Sequence, residues 1–332
     1  YDSLLISLEE ETGEAVSIQE SEGTGIPVAI PECVPYSLNE PNVLLLDRAE
    51  YALNEEPYQS AEEILRLDNL CRERLGMPVR GMAIMQPWAD KKKIAEHCIW
   101  LRFTIESEVC LDKIFLGAER PEKKKIVWNG EIVKCDSAGW YVDKHIKKIP
   151  LCGLKKGKNV LEIKQPFGIG TNTEWFYLLG NFGVHIKGTE KKLLPIDEKI
   201  SFGDIRESGL PFYGGALTYH VPLQLPRGKI KLRVPHYRGG LIRANLDGEQ
   251  TKRIVLPPYM QFFSVSQKGQ HFLNITVYPS RNNAFGPVHL ADKCEEWLGP
   301  SAWRSYDDAW TDGYCLKEEG ILSKPVITIL PD

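Results

Sequence analysis

From about Ile94 onward, apolar and polar residues alternate one by one in short runs. HCIWLRFTIES, KKKIVWNGEIV, GWYVDKHIKKIPL and KNVLEIK show period-two alternation or β-branched enrichment, and Asn-Gly, Gly-Lys or Pro bounds each run. Strands at this spacing predict a sandwich rather than a βαβ sheet. The period changes once, upstream. Ser60-Ala-Glu-Glu63 has the form of a capping box, with Ser60 as the cap. Ile64, Leu67, Leu70, Cys71 and Leu75 then recur at helical spacing, which predicts a short amphipathic helix near residues 60–75, ended by Gly76 and Pro78. Its charged residues, Arg66, Arg72, Glu73 and Arg74, read as a solvated face.

Ahead of the helix, Asn42–Leu53 reads as a buried strand leading into an edge. The opening DSLLISL reads as the last strand of a domain whose body lies upstream. Glu9–Asn42, acidic and then rich in Pro and Gly, reads as a connecting stretch. An internal repeat organises the rest. Trp128-Asn-Gly-Glu131 is followed by Lys156-Gly157-Lys-Asn-Val-Leu-Glu-Ile163; Asn245-Leu-Asp-Gly-Glu249 is followed by Lys268-Gly269-Gln-His-Phe-Leu-Asn-Ile275. The Asn-Gly and Asp-Gly pairs suit tight hairpins, and the repeat predicts two diverged copies of one sandwich. The expected divisions are 1–84 (the end of a preceding β-domain plus linker and helix), 85–195 (first sandwich) and 196–332 (second sandwich with a C-terminal tail).

Composition narrows the function. The 332 residues carry a net charge of −4, so no global basic field attracts nucleic acid. Lysine-rich turns at Lys91–Lys93, Lys123–Lys125 and Lys155–Lys158 lack interleaved aromatics and read as solvated hairpin tips and edge protection. No apolar run reaches the roughly 18–20 residues that span a bilayer. Eight cysteines lie scattered without C-x-x-C or zinc spacing; they read as small, mostly buried, reduced side chains and favour a cytoplasmic setting. No G-x-S-x-G elbow, P-loop or H-E-x-x-H is present, and Phe167-Gly-Ile-Gly170 is a loop rather than a dinucleotide turn. Trp100 and Trp128, inside strands, read as core.

The order of the motifs carries a resemblance. A hairpin at Trp128-Asn129-Gly130, the segment Gly139-Trp140-Tyr141 and the run Gly157-x-Asn159-x-Leu161 together resemble the sugar-binding jelly-roll domain of glycoside hydrolase family 2 and the wider galactose-binding-like sandwiches. The run Gly209–Gly215, Phe285-Gly286-Pro287 and Trp310-Thr-Asp312-Gly-Tyr314 look similar to the far C-terminus of multi-domain bacterial glycosidases, α-L-rhamnosidase-like proteins among them. The resemblance implies a non-catalytic C-terminal accessory region whose partner is a (β/α)8 catalytic domain of the same polypeptide, with glycan as a ligand. A barrel of that kind takes roughly 250 residues of alternating strands and helices, and one helix is predicted here.

Candidate chemistry follows from that picture. Sugar binding on a sandwich needs an aromatic ring beside planar polar groups, which singles out Trp140, Tyr141, Asn172, Glu174, Trp175, Arg281, Asn282, Trp303 and Trp310. Asn172–Trp175 is the segment of first interest. Asp307, Asp308 and Asp312 form an acidic cluster that suits a structural Ca²⁺; the competing reading is an aromatic-rich tail plugging a sandwich end with its acids in solvent. No catalytic pair is assigned. The alternatives are a structural or oligomerisation scaffold without glycan binding, and a complete sandwich-type glycosidase or lyase.

Overall fold

The computed structural model describes residues 25–79, 95–171, 173–291 and 307–331; the opening DSLLISL, Lys91–Lys93, Asn172 and Trp303 lie outside them. The chain begins with β1 (Ile26–Val28) and β2 (Cys33–Leu38), then β3 (Asn42–Leu46), β4 (Arg48–Leu53), β5 (Gln59–Glu63) and helix α1 (Ile64–Arg74). Next come β6 (His97–Ser107), β7 (Leu111–Glu119), β8 (Lys125–Trp128), β9 (Glu131–Ile132), β10 (Trp140–Tyr141), β11 (Asp143–Leu154) and β12 (Gly157–Phe167). They are followed by β13 (Phe176–Gly180), β14 (Gly183–Lys187), β15 (Glu190–Leu194), β16 (Lys199–Ser201) and β17 (Leu217–Leu225). The last strands are β18 (Gly228–Arg233), β19 (Leu241–Leu246), β20 (Lys252–Ile254), β21 (Met260–Val265), β22 (Gly269–Tyr278) and β23 (Val326–Leu330), with a one-turn helix α2 (Asn282–Phe285) after β22.

These strands make two β-sandwiches. One sheet of the first has the order β10-β11-β7-β13-β3; its partner sheet runs β14-β15-β6-β12-β8-β9, with the β4–β5 hairpin also paired to β6. The alternation read in HCIWLRFTIES is the mechanism: Ile99, Leu101, Phe103 and Ile105 of β6 point inward, while Arg102, Thr104 and Glu106 point outward. Trp128 is core, its indole N–H donating to the Gly153 carbonyl at 2.7 Å. Trp100 is not core. It stands on the outer face, with the Lys164 and Lys125 ammonium groups 5.2 and 5.8 Å from its ring. In the facing sheet β3 and β13 are buried along their whole length, because Tyr141 and Phe285 cover the outer side at Tyr177, with ring centroids 5.4 and 5.1 Å away.

The second sandwich pairs β1-β23-β18-β21 against β16-β2-β17-β22-β19-β20. Residues 26–38, which read as a connecting stretch, are thus strands of this sandwich: β1 lies antiparallel to β23, and β2 to β16 and β17. Their pairing partners lie far along the chain, beyond what local pattern reports. The chain then crosses to the first sandwich at Asn39–Pro41. Glu40 and Arg281 clamp this crossing at 2.5 and 2.9 Å. Gly214 and Gly215 make room for the clamp, since a Cβ on Gly215 would stand 2.5 Å from the Glu40 side chain and one on Gly214 2.8 Å from that of Arg281.

The internal repeat is visible bond by bond. Asn129-Gly130 and Asp247-Gly248 both take positive φ (50° and 88°, 51° and 77°), as a tight hairpin of the primed type requires. Asn129 N–H donates to the Val160 carbonyl, and Asp247 N–H to the Phe272 carbonyl, each at 2.8 Å. Their side-chain oxygens accept the Val160 and Phe272 amides at 2.9 and 2.7 Å. Each turn is therefore stitched to the same point of the long strand that follows.

Two sequence readings of the helix change. Ser60 is not its cap, because it is taken up in β5, paired with β4. Glu63 caps instead, accepting the Leu65 and Arg66 amides at 2.9 and 3.1 Å. At the other end Met77 N–H reaches the Arg72 carbonyl and Gly76 N–H that of Glu73, with Gly76 at φ 63°, a Schellman stop. Arg72 does not face solvent. It is fully buried, bonded to Asp68 at 2.7 Å and to the Thr171 carbonyl at 2.8 Å. The described cysteines are all free, but only Cys71 is buried; Cys33, Cys110 and Cys152 are exposed. Among the described residues no helix is long and apolar enough to cross a membrane.

Asn129→Ala removes two side-chain hydrogen bonds and puts a Cβ-bearing residue without a local partner at positive φ, so it is expected to cost about 2–3 kcal/mol. Asn129→Gly keeps the turn geometry and is expected to cost about 1–2 kcal/mol. Urea midpoints that fall equally for both would contradict the turn assignment.

Candidate functional site

Between β3 and β4 one acidic residue ends the apolar run Val43–Leu46, and the structure gathers donors from distant segments onto it. Asp47 is fully buried. Lys191 of β15 donates to its Oδ1 and to the Leu45 carbonyl, the latter at 2.5 Å. His289 Nε2 stands 2.8 Å from Oδ2, and the Tyr314 hydroxyl donates to both oxygens at 2.8 and 2.9 Å. Burial alone would raise the Asp47 pKa; Lys191 and His289 overcome it and hold the carboxyl well below its usual range. Burial likewise works to lower Lys191, with Asp47 opposing.

His289 carries a charge by geometry. Its Nδ1 lies 3.1 Å from the carbonyl oxygens of both Thr311 and Gly313, and its Nε2 faces a carboxylate oxygen. Carbonyls and ionised carboxylates only accept, so both ring nitrogens must donate, and the ring is an imidazolium. Burial disfavours that charge, but the hydrogen bond and field of Asp47, with Glu63, lift the pKa above its ordinary value.

Glu63 is the second buried carboxyl of this centre. It takes the Trp175 indole N–H at 2.7 Å as well as the two helix amides. Burial dominates and pushes it up to about 7, although the donors and His289 pull the other way. Asp47 and Glu63 thus have pKa values driven apart, the signature that separates a general base from a general acid. Neither, however, is open to a substrate. They lie under the C-terminal segment, where Trp310 stacks on His289 at 4.7 Å and beneath the Arg66 guanidinium at 5.2 Å.

The residues expected to bind sugar disperse. Trp140, on the edge strand β10, is 54% exposed and is the one described candidate that offers an open ring. Tyr141 and Trp175 are 3% and 7% exposed, so protein already covers the faces a pyranose would stack on; both readings as open platforms are corrected to core. Trp310 is half-buried in the tail contact. Arg281 is committed to Glu40, and Asn282 opens α2 beside it. Glu174 lines a small cavity with Trp175 at one end of the first sandwich. Asp312 bonds Arg48 at 3.0 Å and the Trp310 indole at 3.2 Å, while Asp307 and Asp308 are exposed. These acids do not converge, and among the described residues no group of three or more His, Cys, Asp or Glu side chains is placed to hold a metal ion. Sequence reasoning missed Asp47, Glu63, Lys191 and His289. The available signal was Asp47 itself, the acid that ends the apolar run Val43–Leu46.

No family model and no curated protein matches the chain. Among solved structures it is similar to a β-D-mannosidase from Dictyoglomus thermophilum, at 10% identity and TM-score 0.26, over 72% of this chain and 31% of that one. It is also similar to a rhamnosidase from a Novosphingobium species, at 14% identity and TM-score 0.28, over 71% of this chain and 23% of that one. An anti-sigma factor domain-containing protein from Clostridium clariflavum matches at 8% identity and TM-score 0.19, over 71% of this chain and 90% of that one. The chain thus spans less than a third of either glycosidase. Likenesses this distant leave function to the residues themselves.

A folded-state pKa above the unfolded value gives stability that is complete at low pH and lost as pH rises through the folded value. For Glu63 the loss runs from its ordinary 4.5 to about 7; for His289 it starts at 6.5 and continues upward. Asp47, held low, stabilises at all pH values above its ordinary 3.8. The melting temperature is therefore expected to be highest near pH 5 and to fall steadily to pH 8, with the upper part of the slope flattened in His289→Gln. A flat profile across that window would contradict the charge assignment.

Proposed function

We propose that the chain is a non-catalytic accessory region of a larger carbohydrate-active protein. In this reading its two sandwiches support a (β/α)8 catalytic domain in the same polypeptide and present glycan to it. The observation that carries the reading is the state of Asp47 and Glu63. A glycosidase needs two carboxyls across a scissile bond, one protonated and one not, with the sugar between them. The two carboxyls here that come nearest to that electronic state are fully buried and bonded to internal donors. Their shifted pKa values do the work of a lock. The motif order around Trp128–Leu161, which resembles family 2 sugar-binding domains, supports the same reading for the fold, while substrate belongs to the parent protein.

The purified chain is expected to show no turnover on a panel of aryl glycosides. Asp47→Asn is expected to cost about 3–5 kcal/mol, because Lys191 and His289 would be left as buried charges without their counter-ion. Measurable hydrolysis that Glu63→Gln abolishes at an unchanged melting temperature would overturn the proposal.

A further inference from the structure

No acidic residue occurs from Ser208 to Leu246, while Arg227, Lys229, Lys231, Arg233, Arg238 and Arg243 all fall in that span. Strand β18 sets three of these cations on one surface. Ile230 and Leu232 point into the second core, so Lys229, Lys231 and Arg233 stand on the outer face. The register flanks each of them with uncharged side chains. Arg233 lies between Val326 and Met260, Lys231 between Thr328 and Phe262, and Lys229 between Leu330 and Ser264. The four strands of this sheet contain no Asp or Glu, and among the described residues none pairs with the three cations. They stand about 6.6–6.8 Å apart along the strand, beside the exposed Phe262 and Val326. Such a row answers an acidic partner.

The path of the chain into the sheet says which one. A Cβ on Gly25, just ahead of the edge strand β1, would collide with Thr328 Cγ2 and stand 2.6 Å from the Ile329 carbonyl oxygen. Thr328 is the outward residue of β23 level with Lys231, so Gly25 lies against the outer side of β23, where a side chain has no room. Strand β1 runs parallel to β18, with Ile26 level with Ile329 and Ile230. The chain therefore enters at the Lys229 end of the cation row. We infer that the outer face of β1-β23-β18-β21 is the docking surface for the acidic stretch at residues 9–22 of the same chain. That stretch, outside the described residues, holds Glu9, Glu10, Glu11, Glu14, Glu20 and Glu22 and no Lys or Arg. Glu22 precedes Ile26 by at most about 14 Å of chain, and β18 lies two strands from β1, about 10 Å away. Glu20 and Glu22 thus reach the row first. A tether this short holds the acids at roughly millimolar local concentration, so ion pairs that are weak singly suffice together. The docking surface is independent of the accessory reading, and turnover does not bear on it.

Carbodiimide coupling of the whole chain at low micromolar concentration joins an ammonium to a carboxylate that it touches, and peptide mass spectrometry reads the pairs. Lys324–Glu32 and Lys192–Glu108, at 2.5 and 2.6 Å, are internal positive controls. Lys229 or Lys231 is expected to couple to Glu14, Glu20 or Glu22 within the monomer. Amine acetylation reads the same contact without a cross-link. Changing all six glutamates to glutamine (E9Q, E10Q, E11Q, E14Q, E20Q and E22Q) should speed the labelling of Lys229 and Lys231 about fivefold, with the exposed Lys113 of β7 unchanged. Salt at about 1 M, which screens beyond about 3 Å, should do the same to the wild type. Retained Lys192–Glu108 coupling in the variant reports an intact fold. The inference fails if the controls couple and neither Lys229 nor Lys231 couples to residues 9–22, or if the six changes leave both labelling rates as they were. Coupling of these lysines recovered only from a covalent dimer would give the face to a second copy and overturn the inference as well.

Discussion

One buried carboxylate organises this molecule. Asp47 leaves an apolar strand, and a charge taken out of water is tolerated only when donors surround it. Here Lys191 comes from the hairpin edge, and His289 and Tyr314 come from the C-terminal segment. The last two positions lie more than 240 residues away along the chain. A single local need thereby fixes long-range geometry. The imidazolium of His289 also lies in the field of Glu63, whose own charge burial disfavours, so Asp47 is the fixed anion against which Lys191 and His289 are held.

The interlocked path of the chain gives that centre its consequence. Strands from residues 26–38 complete the second sandwich, those from 42–63 the first, and β23 returns from the C-terminal end to pair with β1. With Glu40–Arg281 at the crossing and the tail pinned at Asp47, the sandwiches hold each other through ion pairs at two separate points. Arrangements of this kind favour rigidity over access. A centre with acid–base character can thus be structural.

What the sequence made legible follows from the range of each interaction. Strand alternation, the hairpin glycines and the repeat are local signals, and the turns at Asn129 and Asp247 sit where the Asn-Gly and Asp-Gly pairs put them. The helix was legible in kind but not in its first residue, because Ser60 had first to be recognised as part of β5 before Glu63 became the cap. Membership of β1 and β2 was not legible, since their partners lie far along the chain and no local pattern names them. Of the sugar candidates, the Glu174–Trp175 segment does border a cavity. The convergence of His289 and Tyr314 on Asp47 could not have been read, because charge pairing at such separation leaves no periodic trace.

The most direct measurement is the ¹⁵N spectrum of the His289 ring at pH 7.5, assigned by comparison with His289→Gln. Asp47 as an ionised anchor requires both ring nitrogens to carry protons and to resonate together at the imidazolium position. One protonated and one bare nitrogen would mean a neutral ring, an Asp47 that does not hold the tail by charge, and a centre still free to take up a proton.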